Sequence, residues 1–304
     1  MFRRQEYYKN VRALSRVELR SSKGLNILYM LLKPFYTHHM QGLFHAEELL
    51  HYLAGLRFGH PVYLYRTIGS TNDEAKLLAA SGAPEGLVVM AEEQTAGRGR
   101  AGRSWITPPG QALAVSVVLR PDLPADRATP LIMLAGLAVC RAIEQATPLH
   151  AMLKWPNDVL IAGKKVAGLL LETALNGDRL DYAVLGLGLN VSFAPPPEAV
   201  DFPATSLEAE AETEVGRLHV LRLFLEQLEQ LYPQLERGDK ALYHAWRTRL
   251  AMMGEPVTVR TNQGDQSGRL QGVTPDGALI LQQAGGKTLQ LLAGDMRLRP
   301  WEPA

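Results

Sequence analysis

The sequence predicts an α+β protein: a mixed or antiparallel sheet flanked by helices, followed by a small antiparallel β-barrel. Three observations carry this. Apolar, β-branched runs at 87–92, 112–120 and 179–191 read as strands. Residues 129–146 hold a helical period, with Leu131, Leu134, Leu137, Ala138 and Ile143 on one side. From Pro256 onward the character changes to short strands at 257–261, 267–273, 278–283 and 287–292 between glycine turns. The expected organisation is an extension over 1–45, a main domain over 46–252 and a barrel over 253–304.

Composition narrows the function. With 304 residues, 46% hydrophobic and 21% charged, the chain can bury two cores and has ordinary globular make-up. A net charge of +1 gives no overall field toward nucleic acid or an anionic membrane. Cys140 stands alone, so no disulfide forms within the chain, which fits a cytoplasmic location. Its apolar helical setting marks it as core filler. No uncharged run reaches membrane-spanning length, and no secretory signal is visible.

Taken in order, residues 1–33 carry eight Lys or Arg against Glu6 and Glu18, a basic arm read as a loosely attached extension without a site of its own. No helix–turn–helix spacing occurs there, and no wing-like hairpin is expected before Pro61. His38, His39, His45 and His51 lack ligand spacing for a metal. A helix is expected over 46–56 and a strand over 61–67. The strand delivers Ser70-Thr71-Asn72, where Ser70 or Thr71 caps a helix running to about Ala80.

Next comes Gly97-Arg98-Gly99-Arg100-Ala101-Gly102-Arg103-Ser104-Trp105, too glycine-rich for a helix and placed between two strands. Its guanidiniums match carboxylate and phosphate oxygens, although a basic solvated hairpin tip has the same composition. A strand ends at Lys154 before Trp155-Pro156-Asn157-Asp158, and a hairpin around Gly163-Lys164 follows. Gly186-Leu187-Gly188-Leu189-Asn190 lacks the third glycine of a dinucleotide fingerprint, and Gly285-Gly286-Lys287 lacks the spacing of a P-loop and reads as a turn. Helices are expected over 218–235 and 240–250.

Polar stations thus recur at strand ends: Ser70-Thr71-Asn72, Gln94 with the arginine loop, Lys154 through Asp158, and Lys165 with Asn190. Converging lysines and arginines neutralise anionic oxygens, and Asp158 is available to hold a divalent cation or to orient a lysine. No nucleophilic triad can be assembled. The equipment suits electrostatic stabilisation and positioning, as when a nucleoside triphosphate reacts with a carboxylate. A non-catalytic module holding RNA on the arginine loop is the alternative from another class, disfavoured by near-zero net charge and few aromatics beside the arginines.

Together, the arginine loop, Lys154-Trp155-Pro156-Asn157-Asp158, Lys165-Val166-Ala167-Gly168-Leu169-Leu170 and Gly186-Leu187-Gly188-Leu189-Asn190 resemble biotin protein ligase, with Ser70-Thr71-Asn72 at the place of that family's first motif. The resemblance implies a class II synthetase-like catalytic domain and an SH3-like barrel. It implies adenylation of biotin by ATP with Mg²⁺, then transfer to one lysine of a biotin carboxyl carrier protein. By the same resemblance, Ser70, Thr71, Asn72, Gln94, Arg98, Gly99, Arg100, Lys165 and Gly168 line the biotin pocket. Arg100, Arg103, Trp105, Lys154, Asn157, Asp158 and Asn190 handle adenine and phosphates. Lys165, Arg100, Lys154 and Asp158 are the catalytic candidates, Asp158 also being the candidate Mg²⁺ ligand. Where this chain has Ala101 the family often has another arginine-like residue, a departure that bears on loop dynamics. The nearest rival is a lipoate ligase or octanoyltransferase. The expected type is monofunctional, without DNA binding; oligomeric state is left open, a homodimer included.

Overall fold

The computed structural model describes residues 16–20, 26–30, 43–237, 240–292 and 295–297. The main sheet contains β1 (Arg16–Arg20), β2 (Asn26–Met30), β3 (Val62–Ile68), β4 (Val88–Gln94), β5 (Ala112–Leu119), β6 (Ala151–Lys154), β7 (Asp158–Ile161), β8 (Lys164–Asn176) and β9 (Arg179–Asn190). Across it they run β1, β2, β3, β4, β5, β9, β8, β7, β6. The β2–β3 and β3–β4 neighbours are parallel and the others antiparallel.

Strand alternation divides the sheet into two faces. Val88 and Met90 of β4, Leu113, Val115 and Val117 of β5, and Leu185, Leu187 and Leu189 of β9 point to one side. There they meet α3 (Thr129–Ala146), Leu207 of the short α4 (Leu207–Ala211), α5 (Arg217–Glu236) and α6 (Lys240–Thr248) in the main core. On the other side, Ala75 and Ala79 of α2 (Thr71–Ala80) pack on Leu87, Val89, Val118 and Val184. Among the described residues α3 alone has the length and composition to cross a membrane, which qualifies the expectation that no run does. It is a core helix: 11 of its 18 residues are buried. Cys140 lies within it, and burial pushes its thiol up to about 12, so it is inert packing.

The second sheet comprises β10 (Pro256–Thr261), β11 (Gly264–Val273), β12 (Leu279–Gln282), β13 (Thr288–Leu291) and β14 (Asp295–Arg297), ordered β13, β12, β11, β10, β14 and wholly antiparallel. The Gly285-Gly286 segment is the turn between β12 and β13, as expected. Most other boundaries fall within a few residues of expectation. The helix expected over 46–56 is the shorter α1 (Ala46–Leu53), and the β7–β8 turn is Ala162-Gly163, both at positive φ, one residue before the expected pair. Two features correct the sequence reading. β1 and β2 form an antiparallel pair before Pro61, and β2 continues the sheet alongside β3. The other basic positions of the arm lie outside the described residues. Buried Glu92 pairs with Arg217 at 2.9 Å and accepts from the Gly110 amide at 3.2 Å, tying β4, the turn after the arginine loop and the start of α5 together.

The two sheets meet at a buried tryptophan. The Trp155 indole N–H donates to the Gly277 carbonyl at 2.9 Å, and the Tyr243 hydroxyl donates to the Val273 carbonyl at 2.8 Å. Trp155→Phe leaves the Gly277 carbonyl without its donor and is expected to lower stability by about 1–3 kcal/mol, read as a shift in the urea midpoint.

Candidate active site

β9 shows most simply how the sequence builds the site. Its period of two sends Leu187 and Leu189 into the core and turns Gly186, Gly188 and Asn190 to the opposite face. The same alternation on β8 turns Gly168 and Leu170 outward, and Gly168 lies opposite Gly188 in the ladder. A cavity of about 430 Å³ stands over this glycine floor. Every residue singled out from the sequence lines it: Ser70, Thr71, Asn72, Gln94, Arg98, Gly99, Arg100, Arg103, Trp105, Lys154, Asn157, Asp158, Lys165, Gly168 and Asn190.

Lys165 reaches the cavity because the ladder is irregular. Leu160 pairs with Lys165 and Val159 with Ala167, so Val166 is an extra residue on β8. This bulge lets Val166 and Ala167 both enter the core and re-aims Lys165 to the cavity face. There its Nζ lies 2.6 Å from Asp158 Oδ1, while buried Lys154 donates to Oδ2 at 3.2 Å. Burial alone would raise the Asp158 carboxyl, but Lys165 and Lys154 more than reverse this and hold it below the usual carboxylate range. Asp158 is thus a permanent counter-ion that orients two lysines. It does not fit the Mg²⁺ role, because both of its oxygens are engaged by ammonium groups. A carboxyl held this way is also a weak proton acceptor.

At the other end, the first turn of α2 and β4 make a polar wall. Gln94 Oε1 accepts from the Thr71 amide at 2.9 Å and hydroxyl at 3.1 Å, and its Nε2 donates to Thr107 at 3.2 Å. Ser70 occupies the N-cap position of α2 but makes no side-chain capping bond, so the capping expectation is corrected; it is buried and faces the cavity. Asn72 is pinned: its amide oxygen accepts from the Ser116 hydroxyl at 2.6 Å, its nitrogen donates to Glu172 at 2.9 Å, and a Cβ on Gly186 would stand 2.3 Å from its oxygen.

The arginine loop arches over the cavity as an ordered turn. Arg98 bridges to Ser104, the Gly99 amide donates to Arg103 O at 2.7 Å, and Ala101 and Gly102 both take positive φ. Ala101 adopts φ 53°, ψ 37°, a left-handed conformation that costs a non-glycine residue about 1–2 kcal/mol. Arg100 reaches Asn157 at 3.5 Å. The Trp105 ring lies on the glycine floor; a Cβ on Gly188 would stand 2.2 Å from it. Lys165 Nζ sits 5.5 Å from a Trp105 ring centroid. Among the described residues, Trp105 Nε1 is the buried side-chain donor left without a partner.

The sequence reading missed one wall. Residues 195–204 close the side of the cavity beside Lys154, with the Phe202 ring centroid 4.7 Å from Lys154 Nζ. The Lys165 amide donates to Pro203 O at 2.7 Å, and Asn190 Nδ2 to Thr205 O at 2.9 Å. Nothing in an irregular proline-rich loop signals this before the strands are placed. Ser116, a lone polar residue in an apolar strand, carried a signal that went unused.

Asp158→Asn leaves two lysines without their shared counter-ion and is expected to cost about 3–5 kcal/mol of stability at neutral pH. Because the folded carboxyl lies below its unfolded value near 3.9, the contribution is complete above about pH 4 and is lost as pH falls through the folded value. The gap between wild type and variant in chemical denaturation should therefore shrink only in acid, and a gap that closes near neutrality would contradict this geometry.

Comparison with known proteins follows the same lines. Residues 63–190 match the biotin/lipoate A/B protein ligase family, and residues 253–299 match the biotin protein ligase C terminal domain. The bifunctional ligase/repressor BirA of Bacillus subtilis is 36% identical over 231 residues, covering 75% of this chain and 70% of the relative. A biotin–[acetyl-CoA-carboxylase] ligase of Paracoccus denitrificans is 38% identical over 224 residues, covering 72% of this chain and 92% of the relative. A solved biotin protein ligase from Aquifex aeolicus, in complex with biotin and ATP, superposes with a TM-score of 0.67 at 29% identity over 78% of this chain and 98% of that one. The chain belongs to the biotin protein ligases of the biotin/lipoate A/B protein ligase family.

Proposed function

We propose that the cavity activates the carboxylate of biotin with ATP and passes the acyl group to a lysine of a biotin carboxyl carrier domain. The observation that carries this reading is the convergence of Lys154, Lys165 and the arginine loop on one cavity of about 430 Å³ with a polar, uncharged wall at one end. Ser70, Thr71 and Gln94 suit a neutral ureido group, and Lys165 suits a carboxylate. Trp105, with its unpartnered indole N–H, suits the nucleobase side.

In the first half-reaction a carboxylate oxygen of biotin attacks the α-phosphorus, the bond to the pyrophosphate oxygen breaks, and biotinyl-5′-AMP forms. Lys165 binds the attacking carboxylate, and Lys154, Arg100 and Arg103 receive charge from the departing pyrophosphate. Asp158 holds both lysines in place before substrate arrives, which avoids reorganisation during the step. In the second half-reaction the carrier lysine, having lost its proton to solvent, attacks the acyl carbon and AMP departs. The arginine loop and residues 195–204 cover the mixed anhydride and keep water from it.

The same reading divides the chain near 252, with the C-terminal sheet as an SH3-like unit; a boundary near 45 does not suit it, because β1 and β2 belong to the main sheet. The match at 253–299 to a biotin ligase C-terminal domain favours biotin over lipoate. Relatives named as ligase/repressors keep DNA binding as a second reading, tested by a gel shift on the protein's own promoter with and without biotin.

Incubation with biotin, ATP and a carrier domain is expected to add one biotinyl group to the carrier by mass spectrometry, and lipoate should not compete. Lys165→Ala is expected to lower biotin-dependent pyrophosphate release by about a hundredfold or more. Release at the wild-type rate would remove Lys165 from the mechanism.

A further inference from the structure

One carboxylate outside the cavity lining holds two residues that form it. Glu172 follows Gly168 and Leu170 on the same face of β8, so the alternation that builds the floor also carries this side chain to the cavity's edge. Its Oε2 accepts from Asn72 Nδ2 at 2.9 Å and lies 3.3 Å from Arg98 Nη2. Its Oε1 accepts from Lys76 Nζ at 2.7 Å. Asp73 Oδ1 takes the other side of both cations, 2.6 Å from Arg98 and 3.0 Å from Lys76. The result is a closed ring of alternating charge, Asp73, Arg98, Glu172 and Lys76, drawn from α2, β8 and the arginine loop.

Each of these pairs is partly exposed, and alone would be worth little. The arrangement matters for what it fixes. Asn72 has its carbonyl held by Ser116 and its nitrogen held by Glu172, so the amide has one orientation. Arg98, the first arginine of the loop, is tied to the helix and the strand that form the opposite rim.

We propose that Glu172 is a positioning residue for the acid-binding end of the cavity, setting the Asn72 amide and the base of the arginine loop together before substrate binds. The proposal rests on the biotin ligase reading for the identity of the acid. Glu172 does not touch the reacting atoms, so its loss should weaken capture of the acid far more than of the nucleotide.

The test measures KM for biotin and for ATP separately by biotin-dependent pyrophosphate exchange in the full chain, with thermal melts of each variant. Glu172→Ala is expected to raise the biotin KM about tenfold while the ATP KM stays within about twofold. Glu172→Gln keeps an acceptor for Asn72 but not the charge for Arg98, and should fall between wild type and Glu172→Ala. In a cycle with Arg98→Ala, the double variant should lose less than the product of the single losses. Tryptic cleavage within residues 98–103 of the substrate-free protein should be faster in both Glu172 variants. Equal rises in both KM values with a lowered melting temperature would reduce Glu172 to a structural role and overturn the proposal, as would unchanged values or a fully multiplicative double variant. Absence of biotin-dependent exchange in the wild type would instead sink the ligase reading, and loop cleavage, which needs no substrate, would still decide whether Glu172 anchors Arg98.

Discussion

The Lys154–Asp158–Lys165 ion triad is the constraint around which the site is arranged. Two ammonium groups near one another repel, and Lys154 is cut off from water. A single carboxylate between them, with one oxygen for each, makes the placement tolerable. The geometry comes from three adjacent strands. β6 ends at Lys154, the turn of Trp155, Pro156 and Asn157 returns the chain to Asp158 at the start of β7, and the β8 bulge supplies Lys165. With its charge positions set by backbone hydrogen bonding, the site presents a preformed cationic surface to an anionic transition state.

The rest of the cavity is shaped by absence of side chains as much as by their presence. Glycines at 168, 186 and 188 remove the bulk that would stand under Trp105 and beside Asn72. Because each glycine alternates with a core leucine, the same short segments serve the hydrophobic interior and the ligand floor. A substitution at one of these glycines would act on the pocket without disturbing the opposite face.

Much of this was legible in the sequence. Ser70-Thr71-Asn72, Gln94 with the arginine loop, Lys154 through Asp158, and Lys165 with Asn190 were legible as polar stations at strand ends, and the structure gathers them on one cavity; Gly168 came from the family resemblance, and the glycine–leucine alternation at 186–190 was not read as a floor. What was not legible depends on register. No pattern shows that Val166 is an extra residue, so periodicity alone would have sent Lys165 into the core. The capping rule placed Ser70 correctly but gave its hydroxyl the wrong task, since a buried N-terminus facing a cavity leaves that group to the cavity. Asp158 was read as either a cation ligand or a lysine partner, and only the distances decide for the second. The pair β1 and β2 was detectable, since Arg16-Val17-Glu18-Leu19-Arg20 alternates polar with apolar residues and Asn26–Met30 is nearly all apolar, but the arm was read by its charge and not by this period.

The indole of Trp155 lies immediately after Lys154 in the chain and ends on a carbonyl in the turn between β11 and β12 of the other sheet. The strand that presents the buried lysine of the triad is thus stoppered by residues more than a hundred positions downstream. Cutting the protein between its sheets would strand a buried donor beside the triad, so a fragment lacking the C-terminal sheet is not a smaller version of the enzyme but one whose most charge-sensitive side chain adjoins an orphaned indole N–H.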